Sequence, residues 1–103
     1  MRKRFIVLLN TTTAEQNTKF RDEFIKPSFG WWHWFPDCWL LTDAAGRFTA
    51  AAIRDEVRKH FSGSFTLVVE LRDDGTDTWS GFGMNTAEKN MFKWIKENWE
   101  KKS

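Results

Sequence analysis

A run of aromatic residues and one histidine is the first feature of this chain whose residue types and spacing suggest a functional site. The five residues stand in the order Trp-Trp-His-Trp-Phe. Because alternate side chains of a β-strand point to opposite faces, we expect Trp31, His33 and Phe35 on one face. Trp32 and Trp34 would then occupy the other. One row would pack on helices, and the other would form a dimer interface or a platform that stacks a nucleobase, at about 1–3 kcal/mol per base. We assign Trp31 and His33 to ligand binding, since His33 is the only polar side chain of the strand.

Hydroxyl and amide side chains form a second candidate site after the first apolar run. Asn10, Thr11 and Thr12 lead into a predicted helix with Thr13 as its N-cap. Gln16 stands three residues further on, which completes a capping box. Hydroxyl groups at a helix N-terminus could hold a phosphate or another anion. Simple capping is the alternative, and it requires only the cap residue itself. Because capping leaves the three residues before the cap free for an anion, we count Asn10, Thr11 and Thr12 as ligand-binding candidates.

Charged and nucleophilic side chains elsewhere give weaker signals. Arg54 and Arg58 lie beside the apolar stripe of the second predicted helix, where they could receive phosphates or simply form a solvated helix face. Asp73, Asp74 and Asp77 match no calcium loop, and Asp74-Gly75 is a signal for a hairpin turn. The chain contains no Walker loop, dinucleotide fingerprint, zinc ribbon or nucleophile elbow. The sequence thus predicts no metal, no cofactor and no catalytic residue.

The composition predicts one globular domain. The chain has 103 residues, of which 41% are hydrophobic and 29% charged. Ten Phe and seven Trp exceed the needs of a core of this size, so we expect several Trp at a surface that meets a partner. The net charge of +2 is only a mild basic bias. Cys38, as a single cysteine, excludes an internal disulfide and fits a reducing compartment. The longest apolar run, Phe5 to Leu9, is too short to span a membrane, so we expect a cytoplasmic protein.

The predicted elements follow the order β-α-β-β-α-β, with a further strand and helix at the C-terminus. Pro27 and Gly30 should stop the first helix, and the hairpin should turn at Pro36. The third helix should begin after Asn85. The elements are strands at 4–9, 31–35, 38–42, 65–71 and 78–82, and helices that begin after residues 13, 49 and 85. This order predicts an α+β protein with the ferredoxin-like split βαβ arrangement.

The aromatic hairpin also carries a resemblance. The segments 30–34 and 39–43, the strand 65–71 before a Trp-Gly segment, and a Trp-containing last helix resemble small bacterial proteins often labelled SinR-like. These are similar to the second CRISPR-associated adaptation protein and to virulence-associated protein D. The resemblance implies a homodimer in which the sheet or its C-terminal strand crosses between protomers. We place Trp39, Trp79 and Phe82 in that interface.

The chain departs from these relatives at the end of the first strand. The relatives typically carry an Asp there, proposed as a metal-binding catalytic residue, whereas this chain has Asn10. Two facing neutral amides cannot supply the carboxylate pair that holds Mg²⁺. The leading hypothesis is therefore a non-catalytic homodimer that binds a nucleotide-type ligand or a short nucleic acid, for example as a sponge or sensor in bacterial or phage defence. The alternatives are a metal-dependent ribonuclease and a protein-docking module that uses the Trp-rich surface.

Overall fold

The computed structural model describes residues 2–71, 80–81, 83, 86 and 88–99. This part of the chain forms a four-stranded antiparallel sheet, in the order β2-β3-β1-β4, with helices packed against it. The strands are β1 (Lys3–Leu9), β2 (Gly30–Phe35), β3 (Cys38–Asp43) and β4 (Thr66–Leu71). The helices are α1 (Ala14–Phe20), a π-helical turn (Arg21–Ile25), α2 (Lys26–Ser28), α3 (Ala50–His60) and a C-terminal π-helical turn (Ile95–Trp99). The predicted α+β class is confirmed. Within the described residues, no helix is long and apolar enough to cross a membrane.

Strand β1 occupies an inner position of the sheet, as its continuous apolar run predicts. Val7 pairs with Trp39 of β3 on one side and with Val68 of β4 on the other. Phe5 and Val7 are fully buried beneath the helices, while Ile6 packs on the opposite face. A strand covered on both faces has no need of alternating polar residues.

The first hydrophobic core lies between the sheet and helices α1 and α3. The predicted capping box is present at the start of α1, with Thr13 and Gln16 bonding reciprocally. Thr49 caps α3 by accepting a hydrogen bond from the Ala52 amide. The apolar faces of both helices pack against the sheet. The buried helical residues are Phe20, Ile25, Ile53 and Val57, followed by Phe61 directly after α3.

The first helical segment passes through Pro27 and ends before Gly30, the second of the two residues that the sequence predicts as its stop. It widens into the π-helical turn, where the Lys26 amide donates to the carbonyl of Arg21, five residues earlier. The chain then continues through α2 to Ser28. Because Pro27 falls in the first turn of this new segment, its missing N–H breaks no hydrogen bond that the helix requires.

A second hydrophobic core covers the other face of the sheet. Trp32 of β2, Ile95 and Trp99 are buried there, and the guanidinium of Arg4 lies 5.2 Å from the centre of the Trp99 ring. Ile95 and Trp99 are thus the buried residues of the last helical segment. Its predicted start after Asn85 is wrong, because residues 88–92 form turns and irregular structure before the helical residues begin. Two cores, one on each face, account for much of the aromatic surplus.

An irregularity in the hairpin changes which aromatic residues share a face. Pairing of β2 with β3 shifts register between Trp32 and Phe35, so the simple alternation of side chains is interrupted. The Phe35 ring contacts Trp32, with 5.1 Å between ring centres. Trp34 instead lines the same cleft as Trp31 and His33. The predicted rows are thus correct for the first three residues and reversed for the last two.

The different burial of two hairpin tryptophans predicts different losses of stability when each is replaced by alanine. Trp32 is 4% exposed and Trp34 is 39% exposed. We expect Trp32→Ala to lower the free energy of unfolding by about 3–5 kcal/mol, since a large buried ring is removed. Trp34→Ala, as the matched control, should change it by less than about 0.5 kcal/mol. Urea denaturation of both variants measures this, and equal losses would contradict the two-core arrangement.

Candidate functional site

The indole of Trp39 is the floor of the candidate site. It is fully buried, and its Nε1–H donates to Oδ1 of Asn17 at 3.1 Å. The imidazole of His33 stacks on it, with 3.7 Å between ring centres and an interplanar angle of 2°. The Trp31 ring lies 5.8 Å away at an angle of 54°. The predicted role of Trp39 in a dimer interface is wrong, because the chain itself covers the whole side chain.

The protonation of His33 follows from its contact with the turn. Its Nε2 lies 3.1 Å from the carbonyl oxygen of Pro36. A carbonyl can only accept, so Nε2 carries the hydrogen and Nδ1 of the neutral ring is an acceptor. Burial lowers the pKa of His33, assisted by the nearby Arg21 charge and opposed by the Pro36 carbonyl and Asp37. The ring is therefore neutral at pH 7.

A hydrogen-bond network holds the hairpin turn against the start of α1. The Thr12 hydroxyl donates to Oδ1 of Asp37 at 2.7 Å. Nδ2 of Asn17 donates to Oγ1 of Thr12 at 2.9 Å and to the Pro36 carbonyl at 3.1 Å. Asn17 thus bonds to the turn and to Trp39 at once, which sets the distance between helix and hairpin.

These groups surround an open cleft of about 540 Å³. We call it the aromatic cleft; its walls include Thr12, Asn17, Arg21, Trp31, His33 and Trp34, and Trp39 forms its floor. The volume falls in the range of about 300–1,000 Å³ typical of small-molecule sites. One face of the His33 ring is covered by Trp39. The His33 side chain is only half-buried, so part of it can meet a ligand in the cleft.

The structure brings three of the predicted site residues together and separates the others. Thr12, Trp31 and His33 all line the aromatic cleft. Asn10 lies elsewhere, with Oδ1 accepting from the Phe65 amide at 2.7 Å. The amide of Thr11 donates to the Ser64 hydroxyl at 3.4 Å. These two residues join the end of β1 to the chain before β4, so the predicted anion cradle does not form as a unit.

The predicted basic residues of the second helix do not reach the cleft. Arg54 and Arg58 lie on the exposed face of α3. The Arg54 guanidinium pairs with its neighbour Asp55 at 3.0 Å. Of the predicted interface residues, Trp79 and Phe82 lie outside the described residues.

Sequence reasoning missed three residues of the cleft, Asn17, Arg21 and Trp34. Asn17 shares a helical stripe with Phe20 and Phe24, and an amide in an otherwise apolar stripe is a signal that a buried partner exists. Arg21 stands four residues after Asn17, on the same helical side. Trp34 gave no such signal, because the register shift that turns it into the cleft leaves no mark in the sequence.

Two further observations concern metal binding and the reactivity of the cysteine. Within the described ranges, no group of three or more His, Cys, Asp or Glu residues could hold a metal ion. Burial raises the pKa of the Cys38 thiol, which therefore stays protonated at neutral pH.

Comparison of the chain with protein-family models, with curated proteins and with solved structures finds no match. The resemblance to SinR-like proteins therefore stays a prediction. The case for function depends on the geometry of the aromatic cleft.

The neutral state of His33 predicts a pH dependence of stability. In the unfolded chain His33 titrates at its ordinary value of 6.5, and in the folded protein its pKa is lower. Protons therefore favour the unfolded state. The stability that comes from a neutral His33 is fully present above the pKa of the unfolded chain, and it is lost as the pH falls through the pKa of the folded protein. Between about pH 7 and about pH 5 the wild type should lose more stability than His33→Phe. Parallel pH profiles in thermal denaturation would contradict a neutral His33.

Proposed function

We propose that this protein is a non-catalytic binding protein for a nucleotide-type ligand or a short nucleic acid. The observation that carries the proposal is the aromatic cleft, which gathers three indoles, an imidazole and a guanidinium around about 540 Å³. Planar rings and a nearby cation are what a nucleotide needs, because it combines a flat base with a phosphate. The proposed occupant is therefore a base in the cleft with its phosphate at the rim.

The stacking surface comes from β2. Trp34 is 39% exposed, which leaves much of its ring accessible to a base. His33, whose ring is held flat against Trp39, lines the same cleft. Rings held by packing and hydrogen bonds lose little conformational entropy when a ligand stacks on them, which favours binding.

Arg21 is the cation of the cleft that we assign to the phosphate. Its Nε and Nη2 contact the carboxylate of Asp22, at 2.9 Å and 3.5 Å. This pair is exposed and adjacent in sequence, so it contributes little stability and can rearrange. Arginine binds phosphate oxygens through two parallel N–H groups, and Arg21 can offer such a pair while staying at the rim.

We also propose that the fold is ferredoxin-like. The strand order β2-β3-β1-β4 and the placement of α1 after β1 and α3 after β3 support this assignment. The SinR-like resemblance would extend it to a sponge or sensor in bacterial or phage defence. A protein that holds a nucleotide without cleaving it needs no metal centre, which agrees with the neutral side chain of Asn10.

A homodimer is the second part of the proposal, and an exposed apolar row supports it. Four residues lie side by side across the sheet on the face opposite α1 and α3. Phe35 pairs with Cys38, Cys38 with Leu8, and Leu8 with Leu67. Three of them are well exposed, at 49% for Phe35, 40% for Leu8 and 58% for Leu67. Contiguous apolar surface of this kind is typical of protein interfaces.

The binding proposal predicts that replacing two arginines has different effects on ligand affinity. Arg21 and Arg54 each pair with a following Asp, but only Arg21 lines the cleft. We expect Arg21→Gln to weaken nucleotide or oligonucleotide binding about tenfold, since one charge-assisted contact is lost. Arg54→Gln should bind as the wild type does. Trp34→Ala should weaken binding about ten- to hundredfold.

Equilibrium titrations with the four nucleoside monophosphates and a short single-stranded RNA, each with Mg²⁺ present, measure these effects. Phe65→Ala serves as the aromatic control, because Phe65 is 82% exposed and distant in sequence from the cleft residues. Absence of all binding would refute the proposal and favour the protein-docking alternative. Cleavage of the RNA would favour the ribonuclease alternative.

The dimer proposal predicts a change of mass on disrupting the apolar row. The wild type should scatter light as a particle of twice the 12.2 kDa chain. Leu67→Lys should shift it to the mass of one chain, because a desolvated charge opposes association. Glu70→Lys, on the same strand but the opposite face, is the matched control and should stay dimeric. A monomeric wild type at micromolar concentration would sink this part of the proposal.

A further inference from the structure

The tryptophans of the hairpin differ in what their indole N–H groups bind. The Nε1–H of Trp32 donates to the Met91 carbonyl, and that of Trp39 donates to Asn17. The Nε1–H of Trp31 makes no hydrogen bond among the described residues, although this ring is half-buried and packs against the first core. This donor is not buried, so at the wall of the cleft it is accessible to a ligand.

The same cleft is lined by a residue that offers an acceptor. Nδ1 of His33 must carry the lone pair, because Nε2 gives its hydrogen to Pro36. Within the described part of the chain, Nδ1 makes no hydrogen bond. Both rings line the aromatic cleft and both pack on Trp39, at 5.8 Å for Trp31 and 3.7 Å for His33. They are two residues apart on one face of β2, about 7 Å along the strand.

We propose that Trp31 and His33 read the hydrogen-bonding edge of a nucleobase, with the Trp31 Nε1–H donating to a ring acceptor and the His33 Nδ1 accepting from a neighbouring N–H. This inference rests on the proposed function and names what the cleft selects within it. Every common base presents an acceptor next to an N–H donor on its pairing edge. A phosphorylated ring without that edge would stack but leave both protein groups unpaired. Half-buried polar groups left without partners penalise such a ligand.

The division of roles within the cleft follows from geometry. One ring cannot stack on His33 and also bond to its in-plane Nδ1. Trp34, whose exposure is the largest among the cleft rings, is therefore the stacking partner of the base that Trp31 and His33 read. Arg21 remains the contact for the phosphate.

The test compares nucleoside 5′-monophosphates with phenyl phosphate, which has an aromatic ring and a phosphate but no base edge. The wild type should bind at least one nucleotide about tenfold or more tighter than phenyl phosphate, the factor that one net hydrogen bond provides. His33→Phe keeps a ring on Trp39 and removes the acceptor, so it should erase most of this preference. Trp31→Phe removes only the donor and should reduce it in the same direction. His60→Phe, in the groove between α1 and α3, is the matched control and should keep the preference.

A pH series separates edge reading from simple anion binding. The charged groups that face His33 are Arg21 from the helical segment and Asp37 from the turn. Protonation of Nδ1 removes the acceptor, so nucleotide affinity should fall as the pH drops through the His33 titration. The phosphate also titrates in this range, with a pKa near about 6, so the difference between wild type and His33→Phe is the quantity to measure. Affinity that rises on acidification in the wild type alone would overturn the inference.

The outcomes distinguish this inference from the proposed function. If no nucleotide binds the wild type, both fail together. If nucleotides bind, but phenyl phosphate binds as tightly or His33→Phe and Trp31→Phe leave the preference unchanged, edge reading fails and the binding function stands. Circular dichroism of each variant confirms that it is folded before the comparison is made.

Discussion

The hydrogen bond between Trp39 and Asn17 is the interaction on which the geometry of the cleft depends. A fully buried indole N–H without an acceptor would cost about 1–3 kcal/mol, and Asn17 removes that cost from inside α1. The amide nitrogen of the same residue holds Thr12 and the Pro36 carbonyl. That carbonyl in turn fixes the tautomer of His33. One amide side chain thus connects the core, the hairpin turn and the ring that faces a ligand.

Packing explains many of the aromatic residues of the chain, and the others are available for function. The sheet is covered on both faces, and each core is closed by large rings, Trp39 beneath the helices and Trp32 with Trp99 on the other side. The aromatic residues that packing leaves partly exposed are concentrated on one side of β2. There Trp31, His33 and Trp34 surround an open volume and do not fill it. A protein needs rigid scaffolding to hold such rings apart, and the two cores provide it.

The sequence predicts the local features of this fold better than the long-range ones. The apolar run of β1, the caps at Thr13 and Thr49, and the turn at Pro36 follow from chemistry within a few residues, and each is observed. The π-helical turn before Pro27 and the register shift in β2 arise from tertiary packing, so periodicity could not reveal them. For the site, Thr12 and Asn10 look equivalent in the sequence. Only the approach of Asp37 to one and of Phe65 to the other assigns them different roles.

The most direct test of the binding cleft is a nuclear magnetic resonance titration that follows the indole N–H signals of the seven tryptophans as a nucleoside monophosphate is added. Each signal can be assigned by replacing one Trp with Phe. The structure predicts that the signals of Trp31 and Trp34 shift with a common saturation curve, while the signal of Trp32, on the opposite face of the sheet, does not move. Shifts confined to Trp32, or no indole shift at saturating nucleotide, would contradict a binding site in the aromatic cleft.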